Sequence, residues 1–510
     1  MNMFKISILI IFSLLSLNVL QLRSQNGFIR TYETISNYSE SLIDIIPIGD
    51  TILGIGLSQN GNAPFEFGLL LIEFDTMGEI VNTNHVYSST HSSYLFQPPS
   101  KIITLKNGNY AISGGILSSP LRVFFLEFDK HCNEINYFEY VDSNASYFSS
   151  SRLIQIDSGF LLFGTVNYLT DKKNDVFIKK IDNNGIELWT KYYGDSAKDE
   201  FFLSAKIVSS NSILVGSERN FHSTPSSIAD WYKSWFFKID TLGQISSSWE
   251  SNVDEIEVGP ISMQIDSLKA LTYISQTYTT ISGQAIRIFP TLVKRDSAFN
   301  LIWRKVIGLG TINAPNVFHE IIRDNKDNGW IMVGETAKFS SINAGYGEVC
   351  SWMFKVTQEG DSLWDRKDTI YWSQQGTFQN NTPGIIQTPK GDIYSCGYNT
   401  QYSPFVNVRA TLVKVDRNGC IQKDCNLVNL VEPNPLEGIQ VYPNPTTGKI
   451  EFSGIDYCRI SIFDIYNKLI FDQATNSPID ISALPDGIYF LLFYNKGEIL
   501  TKRIIKADGP

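Results

Sequence analysis

Short apolar runs separated by tight polar turns follow one another along most of the 510 residues. IITLKNGNYAISGG (to Gly115), LIQIDSGFLLFG (to Gly164), KIVSSNSILVG (to Gly216), IIRDNKDNGWIMVG (to Gly334) and IIQTPKGDIYSCG (to Gly397) each read as two strands around a turn, closed by a glycine. A second motif follows: LLIEFDTMGEIVNTNHVY from Leu70, FFLEFDKHCNEINYFEYV from Phe124, FIKKIDNNGIELWTKYYG from Phe177, WFFKIDTLGQISSSWES from Trp235, TLVKRDSAFNLIWRKVIG from Thr291, WMFKVTQEGDSLWDRKDT from Trp352 and TLVKVDRNGCIQKDC from Thr411. Anchored on Asp75, Asp129, Asp182, Asp240, Asp296, Thr357 and Asp416, these seven copies recur every ~53 to 61 residues, in or just above the range of propellers and solenoids. Each unit predicts strand, tight turn, strand, loop, strand, tight turn, strand. The expected fold is all-β, a seven-bladed β-propeller of four-stranded antiparallel blades over residues 25–425.

The turns carry their own chemistry. In D-x-x-G the aspartate can accept hydrogen bonds from the backbone of its own turn, and the glycine suits a left-handed position. Cys132 and Phe299 replace that glycine, and Thr357 replaces the aspartate. A calcium site would need several clustered oxygen ligands, so the structural turn is the reading adopted. Trp189, Trp303 and Trp364 share one offset after the turn, and Trp249 stands two residues later, on the same face of a strand; all four are expected to pack between neighbouring blades. The seventh copy lacks a full fourth strand. FIRTYE (Phe28 to Glu33) aligns with LWTKYY (Leu188 to Tyr193), so the N-terminal strand is expected to complete the last blade.

Composition agrees with a β-rich chain: 43% hydrophobic, 13% aromatic and only 18% charged residues. A net charge of -10 without a basic patch argues against nucleic acid. The five histidines, His85, His91, His131, His222 and His319, show no metal spacing, and neither a nucleophile elbow nor a dinucleotide or phosphate loop stands in a supporting context. No catalytic residue, metal or cofactor is assigned, and a binding module is favoured over an enzyme. The function is sought in the long connections, read as Ser217 to Ser234, Glu335 to Cys350, Ile370 to Gly384 and Tyr398 to Arg409, which leave one end of the blades. They carry Trp231, Tyr232, Tyr346, Trp372, Phe378, Tyr402 and Phe405, candidates for glycan or protein recognition or for packing over the channel mouth. Cys420 and Cys425 are close enough for a disulfide after export; the other four cysteines read as free thiols.

The two ends direct the chain outward. Lys5 and the apolar stretch Ile6 to Leu20, ending at Arg23, read as a secretory signal over residues 1–24, cleaved after Ser24. At the other end, NLVNLVEPNPLEG over 426–438 reads as a linker, and short alternating strands from Ile439 predict a compact immunoglobulin-like β-sandwich over 439–510. Tyr442, Pro443, Asn444, Pro445, Thr446 and Gly448, then Leu484, Pro485, Asp486, Gly487, Ile488 and Tyr489, and the basic last strand with Lys502, Arg503 and Lys506 resemble the type A C-terminal sorting domain of type IX secretion cargo of Bacteroidetes-type bacteria. Asn467 stands where that family usually has glycine, and Ala507 to Pro510 extend past its end. The resemblance implies passage to the periplasm, recognition by the outer-membrane secretion machinery, cleavage by a sortase near the linker, and release or attachment to surface lipopolysaccharide. KIDNNGIELW also resembles the repeat of pyrroloquinoline-quinone enzymes and the aspartate box of sialidases; from these only propeller geometry is carried over. Outside the cell the expected role is a non-catalytic binding or adhesion module. A propeller-type polysaccharide hydrolase or lyase and a purely structural surface protein are the alternatives.

Overall fold

The computed structural model describes residues 27–507 apart from 61–66, 89–91, 97–99, 169–172, 196–197, 222–231, 252–256, 282–284, 308–310, 313–315, 338–348, 371–377, 402–406, 422–438, 454–457, 465–468, 476 and 496–497. The signal expected over 1–24 and the linker expected over 426–438 lie outside the described residues. The chain divides into two compact units, Met1–Leu427 and Val428–Pro510.

The apolar hairpins and the motifs that follow them pair as antiparallel sheets built on four strands; two carry a fifth short strand, and a single parallel pair, Val349 with Gln379, joins the sixth and seventh into one eight-stranded sheet. In the first sheet the order is Tyr38–Ile48, Thr51–Asn60, Phe67–Asp75, Ile80–Tyr87; in the third it is Ala145–Ile156, Gly159–Tyr168, Asn174–Ile181, Glu187–Tyr193. The second sheet begins on two short strands, Ser93–Leu95 and Ile103–Thr104, and the fourth, fifth and sixth begin on Lys198–Ser209, Val258–Ile265 and Asn316–Arg323. The seventh runs Phe378–Gln387, Ile393–Gln401, Asn407–Val415 and ends on the N-terminal strand Phe28–Tyr32.

The middle strands are apolar without alternation because both faces are covered. On Gly159–Tyr168, Phe160 and Leu162 pack with Phe125 of the second sheet, whereas Leu161 and Phe163 pack with Phe202 and Phe237 of the fourth. Similar clusters join each neighbouring pair, and Tyr394 and Leu412 of the seventh sheet meet Ile45, Ile72 and Phe74 of the first, so the sheets close into a ring. Each fully buried Phe or Leu in these seams contributes roughly 1.5–3 kcal/mol. Trp249 and Trp364 pack in the seams between the fourth and fifth and between the sixth and seventh sheets, with Trp189 and Trp303 at the equivalent places, as their spacing requires.

The D-x-x-G turns, which follow the third strand of each sheet, contact the preceding sheet. The Asp182 carboxylate accepts from the N–H groups of Asn184 (2.9 Å) and Ile186 (2.8 Å), and Asp75, Asp129, Asp240, Asp296 and Asp416 repeat the pattern. Thr357 does the same through its hydroxyl. The fourth position is left-handed throughout, with φ of 79° at Gly185 and 73° at Gly243, and also 67° at Cys132 and 66° at Phe299, which lack glycine's freedom. At five of the seven turns a side chain on the outer strand of the preceding sheet then caps the carbonyl at that position, whereas the Phe299 carbonyl accepts from Arg295 of its own sheet (3.0 Å). Tyr32 donates to Gly78 (2.8 Å), Asn84 to Cys132 (2.8 Å), Tyr140 to Gly185 (2.8 Å), Tyr193 to Gly243 (2.7 Å) and Arg366 to Gly419 (3.0 Å). Aromatic rings close over the same glycines: a Cβ on Gly185 would lie 2.4 Å from Phe138, and one on Gly243 2.8 Å from Trp189.

The N-terminal strand takes its place in this scheme, one residue away from the sequence alignment. Phe28 pairs with Lys414 as Trp189 pairs with Lys180, so Phe28 corresponds to Trp189 and Tyr32 to Tyr193. The shift sets the Tyr32 hydroxyl on Gly78 and the Phe28 ring beside it.

In the second unit, Gln440–Tyr442, Lys449–Ser453 and Ile479–Asp480 form one sheet, and Leu469–Thr475, Cys458–Asp464, Gly487–Asn495 and Glu498–Lys506 form the other. Ile450, Ile460, Ile462, Leu491, Phe493 and Ile504 fill the core of this unit.

Replacing Tyr32 by Phe keeps the ring and deletes the capping hydroxyl, which is expected to destabilise the first unit by about 1 kcal/mol. Deleting residues 27–36 should cost far more, since it uncovers the edge of Asn407–Val415 together with the seam. Denaturant titration reads both, and unchanged midpoints would show that the N-terminal strand does not close the ring.

Candidate functional site

The connections expected to bear ligand contacts are shorter than the sequence suggested, because the flanking strands run on into them. Ser217 to Phe221, Glu335 to Ala337, Tyr398 to Gln401 and Phe378 to Gly384 are strand. Trp231, Tyr346, Trp372, Tyr402 and Phe405 lie outside the described residues; Tyr232 and Phe378 begin strands, and only their backbone is described. The connections 222–231, 338–348 and 402–406 leave the end of the ring at which the inner strands begin, while at the other end the inner hairpins turn within two residues at 49–50, 157–158 and 210–211.

The structure gathers ionisable groups on the inner strands. In six of the seven sheets the inner strand carries a register shift, at Leu42/Asp44, Ser150/Arg152, Phe202/Ser204, Val258/Ser262, Phe318/Glu320 and Asn381/Gly384. The residues after the shift therefore form one layer around the axis. Lys101, which precedes the short strand Ile103–Thr104, reaches into it: its ammonium lies 2.9 Å from Asp44 Oδ1 and also bonds Glu320. Lys101 comes from the second sheet and Glu320 from the sixth, so the pair spans the centre. Backbone N–H groups complete the carboxylates, Ile102 to Asp44 (2.7 Å) and Ile385 to Glu320 (3.0 Å). Burial pulls the Lys101 ammonium down, but the Asp44 and Glu320 charges outweigh it and hold its pKa above the ordinary value.

A second group lies above this layer, toward the end with the long connections. Glu335 accepts from the Asn381 amide (2.9 Å) and stands 4.0 Å from His319 Nε2. Burial pushes the Glu335 carboxyl up to about 7 in spite of that hydrogen bond, and burial with the nearby Lys101 charge takes the His319 imidazole down to about 4. At neutral pH a half-ionised carboxyl thus neighbours a neutral imidazole, an arrangement able to give and take a proton. Glu218 occupies the matching register position on the fourth sheet and is pushed by burial to about 7. Sequence reasoning passed over these groups. The signal was present as single charges inside apolar inner strands, in LIDII (Asp44), SRLIQ (Arg152), SAKIV (Lys206) and FHEII (Glu320).

The sorting motif of the second unit acts on the last strand. Between Pro443 and Pro445, the Asn444 amide donates to the Arg503 carbonyl (2.8 Å) and accepts from the Ile505 N–H (2.9 Å). Thr446 exchanges backbone hydrogen bonds with Ile505 (2.8 Å) and Ala507 (3.0 Å), and its hydroxyl accepts from the Gly448 N–H (3.0 Å). Tyr489 donates to the Pro485 carbonyl (2.7 Å), Leu484 packs on the core, and Gly487 opens the strand opposite Lys506. Lys502 is half-buried opposite Leu491. The buried lysine is Lys506, 3% exposed and 2.9 Å from Asp486. Cys420 of the first unit is in a disulfide, while Cys132, Cys350 and Cys396 are free and buried.

The first unit is a propeller-like ring of four-stranded antiparallel sheets with its ionisable groups on the inner strands. Residues 440–507 match the family model described as a secretion system C-terminal sorting domain. The chain carries the sorting domain of type IX secretion cargo and is taken across the outer membrane to the cell surface or the medium. No curated protein matches it. Among solved structures it is similar to an ulvan lyase described as a new polysaccharide lyase family, with 9% identity over 78% of this chain and 99% of that one at a TM-score of 0.47. It is also similar to an α-L-arabinofuranosidase from Fusarium graminearum (11% identity, 66% and 98% covered, TM-score 0.41). A third is the β-propeller domain of the trilobed protease from Pyrococcus furiosus (8% identity, 77% and 98% covered, TM-score 0.33).

The raised Glu335 pKa fixes the sign of a pH effect. Below the unfolded value of 4.5 the carboxyl is protonated in both states. As pH rises toward about 7 the unfolded chain ionises first, and the fold loses stability. Glu335→Gln should therefore gain stability relative to the native chain between about pH 5 and 7 and level off above. Melting temperatures of the two proteins across that range test this, and a constant difference would refute it.

Proposed function

We propose that the ring is a seven-bladed β-propeller followed by an immunoglobulin-like sandwich, and that outside the cell the propeller is a non-catalytic binding or adhesion module for a glycan or protein. The asymmetry of the ring carries this reading: the connections 222–231, 338–348 and 402–406 all leave one end, and loops on a rigid scaffold are where recognition sits. The aromatic residues Trp231, Tyr232, Tyr346, Tyr402 and Phe405 in or beside those connections, with Trp372 and Phe378 in the segment leading into the seventh sheet, supply contact area suited to sugar faces or a protein surface. Export proceeds through the outer-membrane machinery, a sortase removes the tail near the linker, and the product is released or attached to surface lipopolysaccharide. Cys425 is the partner proposed for Cys420.

One observation favours a second reading. Glu335 beside His319 offers proton transfer at the end where a ligand enters, as a polysaccharide hydrolase or lyase requires.

The purified full-length protein should retain ligand on a glycan array or in a pull-down, with binding unchanged by Glu335→Gln. Absence of ligand in both, with polysaccharide turnover that the same substitution abolishes, would establish the enzyme instead. Removing residues 440–507 should leave the protein in the periplasm, read by fractionation; its appearance in the medium would contradict the role assigned to the tail.

A further inference from the structure

The layer of residues after the register shift bridges neighbouring sheets. Asp44 accepts from the Ile102 N–H (2.7 Å), Ser262 from the Ile321 N–H (3.4 Å) and Glu320 from the Ile385 N–H (3.0 Å), while Ser204 donates to the Pro260 carbonyl (2.7 Å). At each of these joints a donor meets an acceptor. At the joint between the third and fourth sheets the Phe202 N–H donates to the Thr165 hydroxyl (3.0 Å), but the register-shift layer differs. The layer residue there is Arg152, which has only donors. The next inner strand presents Lys206, on the same face as Ser204 and within electrostatic reach of Arg152, and it too has only donors.

Among the described residues neither cation finds a partner. Among the described residues Arg152 makes no hydrogen bond, and its Nε is buried without a partner. It lies within reach of the Asp44 and Glu320 charges, but Lys101 and backbone N–H groups already hold both carboxylates. Lys206 makes no hydrogen bond or ion pair among the described residues either. Three cations, Lys101, Arg152 and Lys206, stand against two carboxylates. Arg152 and Lys206 are half-buried, walled by protein yet touched by solvent.

We propose that the ring centre beside this joint binds a small oxyanion, a sulfate, phosphate or carboxylate group, held between the Arg152 guanidinium and the Lys206 ammonium. The anion supplies the acceptor that Asp44, Ser262 and Glu320 provide at their joints. The planar guanidinium suits two oxygens at once, and the ammonium neutralises the remaining charge. Burial, with repulsion from Arg152 and Lys101 and a partial offset from Glu320, takes Lys206 down to about 7; Asp44 lies across the same layer. A bound anion favours the charged lysine, so binding takes up a proton at pH 8 and weakens as pH climbs further.

Titration calorimetry of the full chain with sodium sulfate, against sodium chloride at equal ionic strength, tests the site. One saturable site is expected, at least tenfold weaker in Arg152→Gln and in Lys206→Gln, with close to one proton taken up at pH 8 when buffers of different ionisation heat are compared. Inorganic phosphate and glucuronate serve as parallel probes. Tighter binding of the free ions assigns the site to an inorganic anion, and tighter binding of glucuronate assigns it to an acidic sugar. No saturable heat beyond chloride, equal affinity in both variants, or no proton uptake by the native protein would each overturn the proposal. The last measurement does not depend on how the variants fold.

Discussion

The hydrogen bond from the outer strand of one sheet to the turn carbonyl of the next is the constraint on which the ring depends. At Tyr140 and Gly185, or Tyr193 and Gly243, turn and seam are a single interaction. The aspartate shapes the turn, the left-handed residue presents its carbonyl outward, and the neighbouring sheet completes it. Each such bond contributes roughly 0.5–1.5 kcal/mol, less than the apolar burial around it. Burial has no direction, however, whereas the cap fixes where one sheet lies on the next. The glycines follow from the same arrangement, since Phe138 and Trp189 occupy the space a Cβ would need.

Toward the axis the problem changes from packing to charge. The inner strands converge and leave little room for apolar side chains, and the ring gathers polar ones there. Lys101 between Asp44 and Glu320 is stable only as a set: removing one member of a buried ionic group leaves an uncompensated charge and costs about 3–5 kcal/mol. The network ties the first, second, sixth and seventh sheets through Ile102 and Ile385 as well as through its charges. The third and fourth sheets, which present Arg152 and Lys206, stand outside its hydrogen bonds.

What the sequence made legible is what is local. The D-x-x-G turn forms within five residues, so its aspartate and glycine recur in readable positions, and the tryptophans at fixed offsets fell in the seams. Phe28 was placed one residue away from its true partner because FIRTYE offers no turn of its own to anchor the count; only the Tyr32 cap on Gly78 fixes the register. The inner layer was illegible for a different reason. Its members are Asp44, Arg152, Ser204, Ser262, Glu320 and Gly384, a different residue type in almost every repeat, aligned only by a register shift that pairing reveals. The sorting motif was readable as a string of residues, yet the roles of Asn444 on the last strand and of Lys506 with Asp486 needed the fold.

Both units close by bringing a chain end back to an earlier segment. In the first, Phe28 pairs with Lys414; in the second, Asn444 and Thr446 hold the strand ending at Lys506. The entropy of closing such a loop grows only slowly with its length, at about 0.6 kcal/mol per doubling, so a long separation is thermodynamically inexpensive. Kinetically it is slow, because contacts far apart in sequence form after local ones. The hairpins and capped turns can assemble as the chain emerges, but the seam of Tyr394 and Leu412 against Ile45 and Phe74 must wait for both ends of the first unit. The ring thus stays open until the last sheet is delivered, and the strand that completes that sheet, Phe28–Tyr32, is the first described strand of the chain.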